Sequence, residues 1–184
     1  MSEKVFHAEA SRIVHEGAVV TTEVLDVRTP EGDLIQRQVV RHPGAVAVVA
    51  IHQGNVVLVE QYRAALDDNL IEIPAGKLDI SGEDLATAAR RELIEEVGLD
   101  PQSLTKLGMF FTAAGFSDEV ITIFFSDDCV EVERQVDGVE EAHSQILHVP
   151  LGDIDDWLDN KLTDAKSLIG LFWARSRGFL DRAS

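Results

Sequence analysis

The chain has 184 residues, of which 33 are Asp or Glu and 16 are Lys or Arg, for a formal net charge of −17. Such a field repels phosphate backbones and anionic headgroups, so nucleic acid and anionic membranes are not expected as surface-wide partners. Apolar residues make up 45% of the chain, enough for one compact domain with a small extension, and no apolar run is long enough to cross a bilayer. Cys129 is the only cysteine, which precludes an intrachain disulfide and suits a reducing compartment. The first residues include Glu3 and Lys4 and hold no apolar run of the signal-peptide kind. The cytoplasm is therefore the expected location.

In chain order, residues 18–28 and 34–41 are rich in β-branched side chains around Thr29, Pro30, Glu31, Gly32 and Asp33, a hairpin signal. Residues 45–51 and 56–59 are near-continuous apolar runs on either side of His52, Gln53, Gly54 and Asn55, and predict two core strands with a tight turn. A short strand is expected from Leu70 to Ile73, then a helix over 84–97. Strands follow near 105–111 and 119–125. Residues 126–144 are polar and acidic, hence loop, and a last strand runs from Ile146 to Val149. Asp153 and Thr163 are candidate N-caps of helices at 153–159 and 163–177. Trp157 and Trp173 sit at apolar positions of these helices and are expected in the core. The pattern indicates an α+β fold, with helices on both sides of a mixed sheet.

The helix at 84–97 carries a charge pattern that stability alone does not explain. With Leu85 set to zero and about 100° per residue, Ala89, Leu93 and Val97 fall at about 40°, 80° and 120°. Glu92 and Glu96 fall at about −20° and +20°, inside that buried arc, and Glu95 borders it at about −80°. A buried carboxylate costs several kcal/mol unless compensated. Glu95 and Glu96 also lie in the last turn before Gly98, where the helix dipole disfavours negative charge, and like charges four apart repel. A hard divalent cation resolves all three conflicts, because it prefers carboxylate oxygens and neutralises them. A solvated acidic face with Arg90 and Arg91 nearby is the plainer alternative. The inward angles argue against it.

Gly76, Glu83, Arg91, Glu92, Leu93, Glu95, Glu96, Gly98 and Leu99 resemble the signature of the Nudix hydrolases. The interval from Gly76 to Glu83 is one residue longer than the family's usual spacing, and the turn-like run Asp79, Ile80, Ser81, Gly82 can absorb the extra residue before the helix begins. Glu72 to Gly76, Gln61 to Arg63, and Thr112 to Glu119 look like segments flanking the signature in ADP-ribose pyrophosphatases. The similarity extends over about residues 35–175. Ala114 stands where ADP-ribose-acting members commonly carry a proline.

The resemblance implies an α/β/α sandwich over residues 43–184, with residues 1–42 as an added antiparallel β subdomain for dimerisation or substrate binding. For Mg²⁺ or Mn²⁺, Glu92 and Glu96 are the first candidate ligands and Glu95, at the edge of the arc, the second; the resemblance adds the Ala75 carbonyl. Of the catalytic candidates Glu95 and Arg91, the arginine is expected to orient a glutamate, with a surface ion pair as its plainer alternative. A catalytic glutamate in the late acidic loop is also implied, and Glu141 aligns better than Glu140. Arg37, Arg63 and Glu72 are the candidate substrate contacts, the arginines as fork donors for phosphate. Phe116 is equally suited to a nucleotide pocket or to packing, and the histidines show no paired ligand spacing. The expected activity is cleavage of a nucleoside diphosphate linked to another group, with ADP-ribose giving AMP and ribose 5-phosphate. Diadenosine polyphosphates, NADH and sugar nucleotides are alternative substrates. A nucleotide sensor without catalysis is the alternative from another class, but it has no need of all three helix glutamates. The expected assembly is a homodimer.

Overall fold

The computed structural model describes residues 4–136, 138 and 142–181. The chain up to Gly44, together with Phe111–Val120, forms one compact unit; Ala45–Phe110, together with Ile121 onward, forms the other.

The first unit is a three-stranded antiparallel sheet of β1 (His7–Glu16), β2 (Thr21–Arg28) and β3 (Leu34–Arg41). The β2–β3 hairpin matches the sequence pattern, its turn closed by Thr29 N–H donating to the Asp33 carbonyl at 2.9 Å. Strand β1 is additional to it. All ten of its residues are exposed, so it buries nothing that would leave a period-two signal. Its ladder to β2 and the paired contacts of Arg28 with Glu9, at 2.9 and 2.7 Å, hold it in place.

The second unit is built on a seven-stranded mixed sheet. Its strands are β4 (Ala45–His52), β5 (Asn55–Arg63), β6 (Asp68–Glu72), β7 (Ala75–Lys77), β9 (Thr105–Phe111), β10 (Val120–Ser126) and β12 (Gln145–Pro150). The main order is β12-β5-β4-β10-β9, with β6 on β5 and β7 on β4. Strand β4 is central and parallel to β10, and it is covered on both faces, which is why its sequence is apolar throughout rather than alternating. Val46, Val48 and Ala50 pack with Ala88, Ala89, Leu93 and Val97 of α1 (Leu85–Val97). Ala47, Val49 and Ile51 pack with Leu158 of α2 (Ile154–Asn160) and Leu171 and Ala174 of α3 (Ala165–Ser176). Trp157 and Trp173 join that second layer from its edge. The result is the expected α/β/α sandwich.

The stretch after residue 126 is not all loop, since β11 (Cys129–Glu131) pairs antiparallel with β8 (Leu99–Pro101). Each has only three residues, too few for a period to show. Helix α3 is capped by Asp164 rather than Thr163: the Asp164 carboxylate accepts from Ser167 N–H. Asp153 stands at the start of α2, but its side chain makes no capping bond.

Candidate active site

Helix α1 is fixed at both ends. The Asp84 carboxylate accepts from the N–H groups of Ala86 and Thr87, and Gly98 ends the helix at φ 67, the left-handed conformation a side chain disfavours. The register so set buries Ala88, Ala89, Glu92, Leu93, Glu96 and Val97, the face expected from the sequence. Glu92 is 7% exposed and Glu96 4%.

Opposite this face runs the turn from β6 into β7. Three successive residues are pinned there from three directions. Ile73 N–H donates to Ser167 Oγ at 2.7 Å, the Pro74 carbonyl accepts from Val48 N–H at 2.9 Å, and Ala75 N–H donates to Glu96 Oε2 at 2.9 Å. The next residue, Gly76, passes so close to Glu92 that a Cβ built on it would fall on the Glu92 carboxyl. Ala75, Glu92 and Glu96 are thus brought together.

Arg91 gathers the remaining acids. Its Nε and Nη2 donate to Glu83 at 3.1 and 3.0 Å, and its Nη1 donates to Glu92 at 2.7 Å and Glu95 at 3.0 Å. Asp79 stands 3.6 Å away. The longer loop before the helix therefore leaves Glu83 within reach of Arg91. The hydrogen bonds that the guanidinium donates to Glu83 foremost, and the charges of Glu92 and Glu95, raise its affinity for its proton. Burial pushes the Glu92 carboxyl up to about 7, against the lowering effect of Arg91 and with the help of Glu95 and Asp79.

A single guanidinium faces several carboxyls, one of them the buried Glu92, and the buried Glu96 lies on the same helix. This is a donor set for a hard divalent cation, all oxygen and negative in excess. Among the described residues no three acidic, imidazole or thiol groups converge closely enough to ligate a metal in this arrangement; Glu83, Glu92 and Glu95 are drawn to Arg91 instead. Ala75, Glu92 and Glu96, brought together at this turn, are the groups that could hold such a cation, with Glu95 at the margin.

Arg63 and Glu72 are also brought together, though chiefly with each other. Arg63 Nε and Nη2 each donate to the Glu72 carboxylate at 2.6 Å. Glu72 is 1% exposed and accepts from Lys166 Nζ as well. Burial alone would raise its pKa, but Arg63 and Lys166 outweigh that and hold it below the ordinary carboxylate value. Lys166 reaches Asp164 at 3.1 Å, and Ser167 donates to the same Asp164 oxygen through N–H at 2.9 Å and Oγ at 2.5 Å. Sequence reasoning missed Asp164, Lys166 and Ser167. One signal was available: a lysine in the first turn of a helix opposes the dipole, and so calls for an acidic partner.

Arg37 lies on β3 in the other unit, where it is exposed and donates to the Gln36 carbonyl at 2.8 Å. Phe116, in the same unit, is 59% exposed. Glu140 and Glu141 lie outside the described residues.

The NUDIX domain model matches residues 40–169. An ADP-ribose pyrophosphatase of Bacillus subtilis is 36% identical, the match covering 86% of each chain. A methanol dehydrogenase activator of Bacillus methanolicus is 37% identical, again over 86% of each. An ADP-ribose pyrophosphatase of Mycobacterium tuberculosis is 39% identical over 83% of this chain and 74% of its own. The fold is that of a solved ADP compounds hydrolase, with a TM-score of 0.82 and 23% identity over 97% of this chain and 96% of that one. No helix among the described residues is long and apolar enough to cross a membrane. With the family model spanning most of its length and these relatives matching over roughly three quarters or more of each chain, the chain belongs to the Nudix domain family.

Proposed function

We propose that the protein hydrolyses the pyrophosphate bond of ADP-ribose to AMP and ribose 5-phosphate. The observation that carries the chemistry is the burial of Glu92 and Glu96 against the backbone turn at Ala75 and Gly76. The substrate reading is supported by the two ADP-ribose pyrophosphatases among the relatives.

The pyrophosphate oxygens repel an attacking nucleophile, so their charge must be offset and the water activated. Mg²⁺ or Mn²⁺ supplies Lewis acidity, water activation and a template when bound. Glu92, Glu96 and the Ala75 carbonyl hold it in our reading. Arg91 keeps Glu92 and Glu95 oriented while balancing part of their charge. Glu141 takes the proton of the attacking water. Arg63, oriented by Glu72, contacts a substrate phosphate with the part of its fork that Glu72 leaves open. In a protein of this net charge such local cations are needed to admit an anionic substrate.

Our reading further places residues 1–42 as a subdomain serving dimerisation and substrate binding, with Arg37 as its phosphate contact, in a cytoplasmic homodimer that binds neither nucleic acid nor membrane. A second reading, cleavage of another nucleoside diphosphate derivative such as NADH or a sugar nucleotide, draws on Ala114 in place of a proline. A panel of these substrates with Mg²⁺ or Mn²⁺, following release of AMP, tests the assignment. ADP-ribose should give the highest kcat/KM. No cleavage of any diphosphate-linked nucleotide by folded, metal-supplied protein would refute it.

A further inference from the structure

The chain holds a second set of buried charges outside the signature helix. Asp164, Lys166 and Ser167 occupy the start of α3, on the face of the sheet opposite α1. Lys166 is 8% exposed and Ser167 is fully buried. Four charged groups lie in one line there: Arg63, Glu72, Lys166 and Asp164, two cations alternating with two anions. Their charges balance, so the line is self-contained and leaves no net charge in the interior.

The Ser167 hydroxyl is used in both directions. It donates its proton to Asp164 and accepts from Ile73 N–H. Ile73 is 1% exposed, so no solvent can replace that acceptor. Ile73 directly precedes Pro74, which lacks an N–H and has a fixed φ, and then Ala75. A displacement of Ile73 is therefore transmitted to the Ala75 carbonyl with little slack. Lys166 acts on the other branch: it holds Glu72 Oε2, and Glu72 in turn holds both parallel N–H groups of Arg63.

We propose that the first turn of α3 is a positioning element for both halves of the site, with Ser167 setting the Ala75 carbonyl through Ile73 and Lys166 setting the Arg63 fork through Glu72. This rests on the reading above that the Ala75 carbonyl belongs to the cation site and Arg63 to the substrate site. Neither Lys166 nor Ser167 touches the reacting atoms; each is a positioning residue.

The two branches separate in experiment. Ser167→Ala should weaken Mn²⁺ binding, measured by calorimetry without substrate, by about tenfold or more, as loss of a group behind a metal ligand does, and Ser167→Thr, which retains the hydroxyl, should restore it. Lys166→Met, similar in length, should raise KM by about tenfold with little change in kcat or in Mn²⁺ affinity. A generalised packing defect would instead lower the melting temperature without this division. Wild-type Mn²⁺ affinity in folded Ser167→Ala, or wild-type KM in folded Lys166→Met, overturns the assignment. If Ser167→Ala does not fold, the Lys166→Met arm decides. Failure of the ADP-ribose reading would appear separately, as wild-type protein that binds Mn²⁺ but releases no AMP.

Discussion

The backbone of Gly76 lies against the carboxyl of Glu92, with no room between them for a methyl group. The contact spans two elements, β7 and α1, and it explains the glycine by close approach rather than by an unusual φ. Gly76→Ala must displace the Glu92 side chain or the turn. Either shift moves a candidate ligand by about the ångström that costs 10²-fold in rate. Turnover should fall by about that factor, while circular dichroism remains that of the folded protein. Wild-type turnover would show that Glu92 can swing aside without loss, and so lies outside the catalytic arrangement.

Glu92 also sets a pH dependence. Its folded pKa of about 7 stands above the ordinary 4.5, so the folded state binds the proton more tightly than the unfolded state does. Stability contributed by the protonated form is complete below the unfolded value and is lost as pH rises through the folded one. The loss at this site is about 3 kcal/mol, on the scale of 1.36 kcal/mol for each tenfold change in proton affinity. In chelator, the stability of wild type relative to Glu92→Gln should decline from pH 4.5 to 7 and then level off. Urea titrations of both proteins across that range provide the check; parallel curves would refute the assignment. Glu96→Gln likewise removes a buried charge, so it should be tolerated by the metal-free fold and be severe for turnover.

Glu72 slopes the other way. Its pKa is depressed, despite burial, by Arg63 and Lys166. Its contribution is present above the unfolded carboxylate value and is lost as pH falls through the folded one. Glu72→Gln leaves two cations facing an uncharged amide and should cost about 3 kcal/mol near neutral pH, as breaking one side of a buried ion pair does. The difference between wild type and variant should shrink on acidification. A difference that does not change with pH would mean that shape, not charge, is what Glu72 supplies.

These sites differ in how far the sequence revealed them. The carboxylates of α1 were legible because a helix of known phase projects each side chain at a computable angle, and Glu92 and Glu96 fell among alanines and leucines. Strand β4 was legible from its unbroken apolar run. Strand β1 was not, because a strand whose ten residues are all exposed leaves no buried apolar period. The set at Asp164, Lys166 and Ser167 was hidden for another reason. Its partners Glu72 and Ile73 lie 94 residues away, and local spacing carries no information about which acid a buried lysine will meet.

With the cation held as proposed, Arg91 and the cation compete for the oxygens of Glu92. The guanidinium now balances Glu83, Glu92 and Glu95, a role the cation would share at Glu92. Arg91→Ala removes the balance from all three at once. In chelator the variant should melt below wild type, since partly buried carboxylates are left facing one another. Bound cation then relieves a larger repulsion than it does in wild type. Because a ligand specific for the folded state stabilises by RT ln(1 + [L]/Kd), the rise in melting temperature on adding saturating Mn²⁺ should be greater for Arg91→Ala than for wild type. Turnover should nonetheless stay low, because Glu95 loses the partner that orients it. Differential scanning calorimetry of both proteins, with chelator and with Mn²⁺, separates the possibilities. A rise equal to or smaller than that of wild type would mean that the arginine and the cation do not act on a common set of carboxylates.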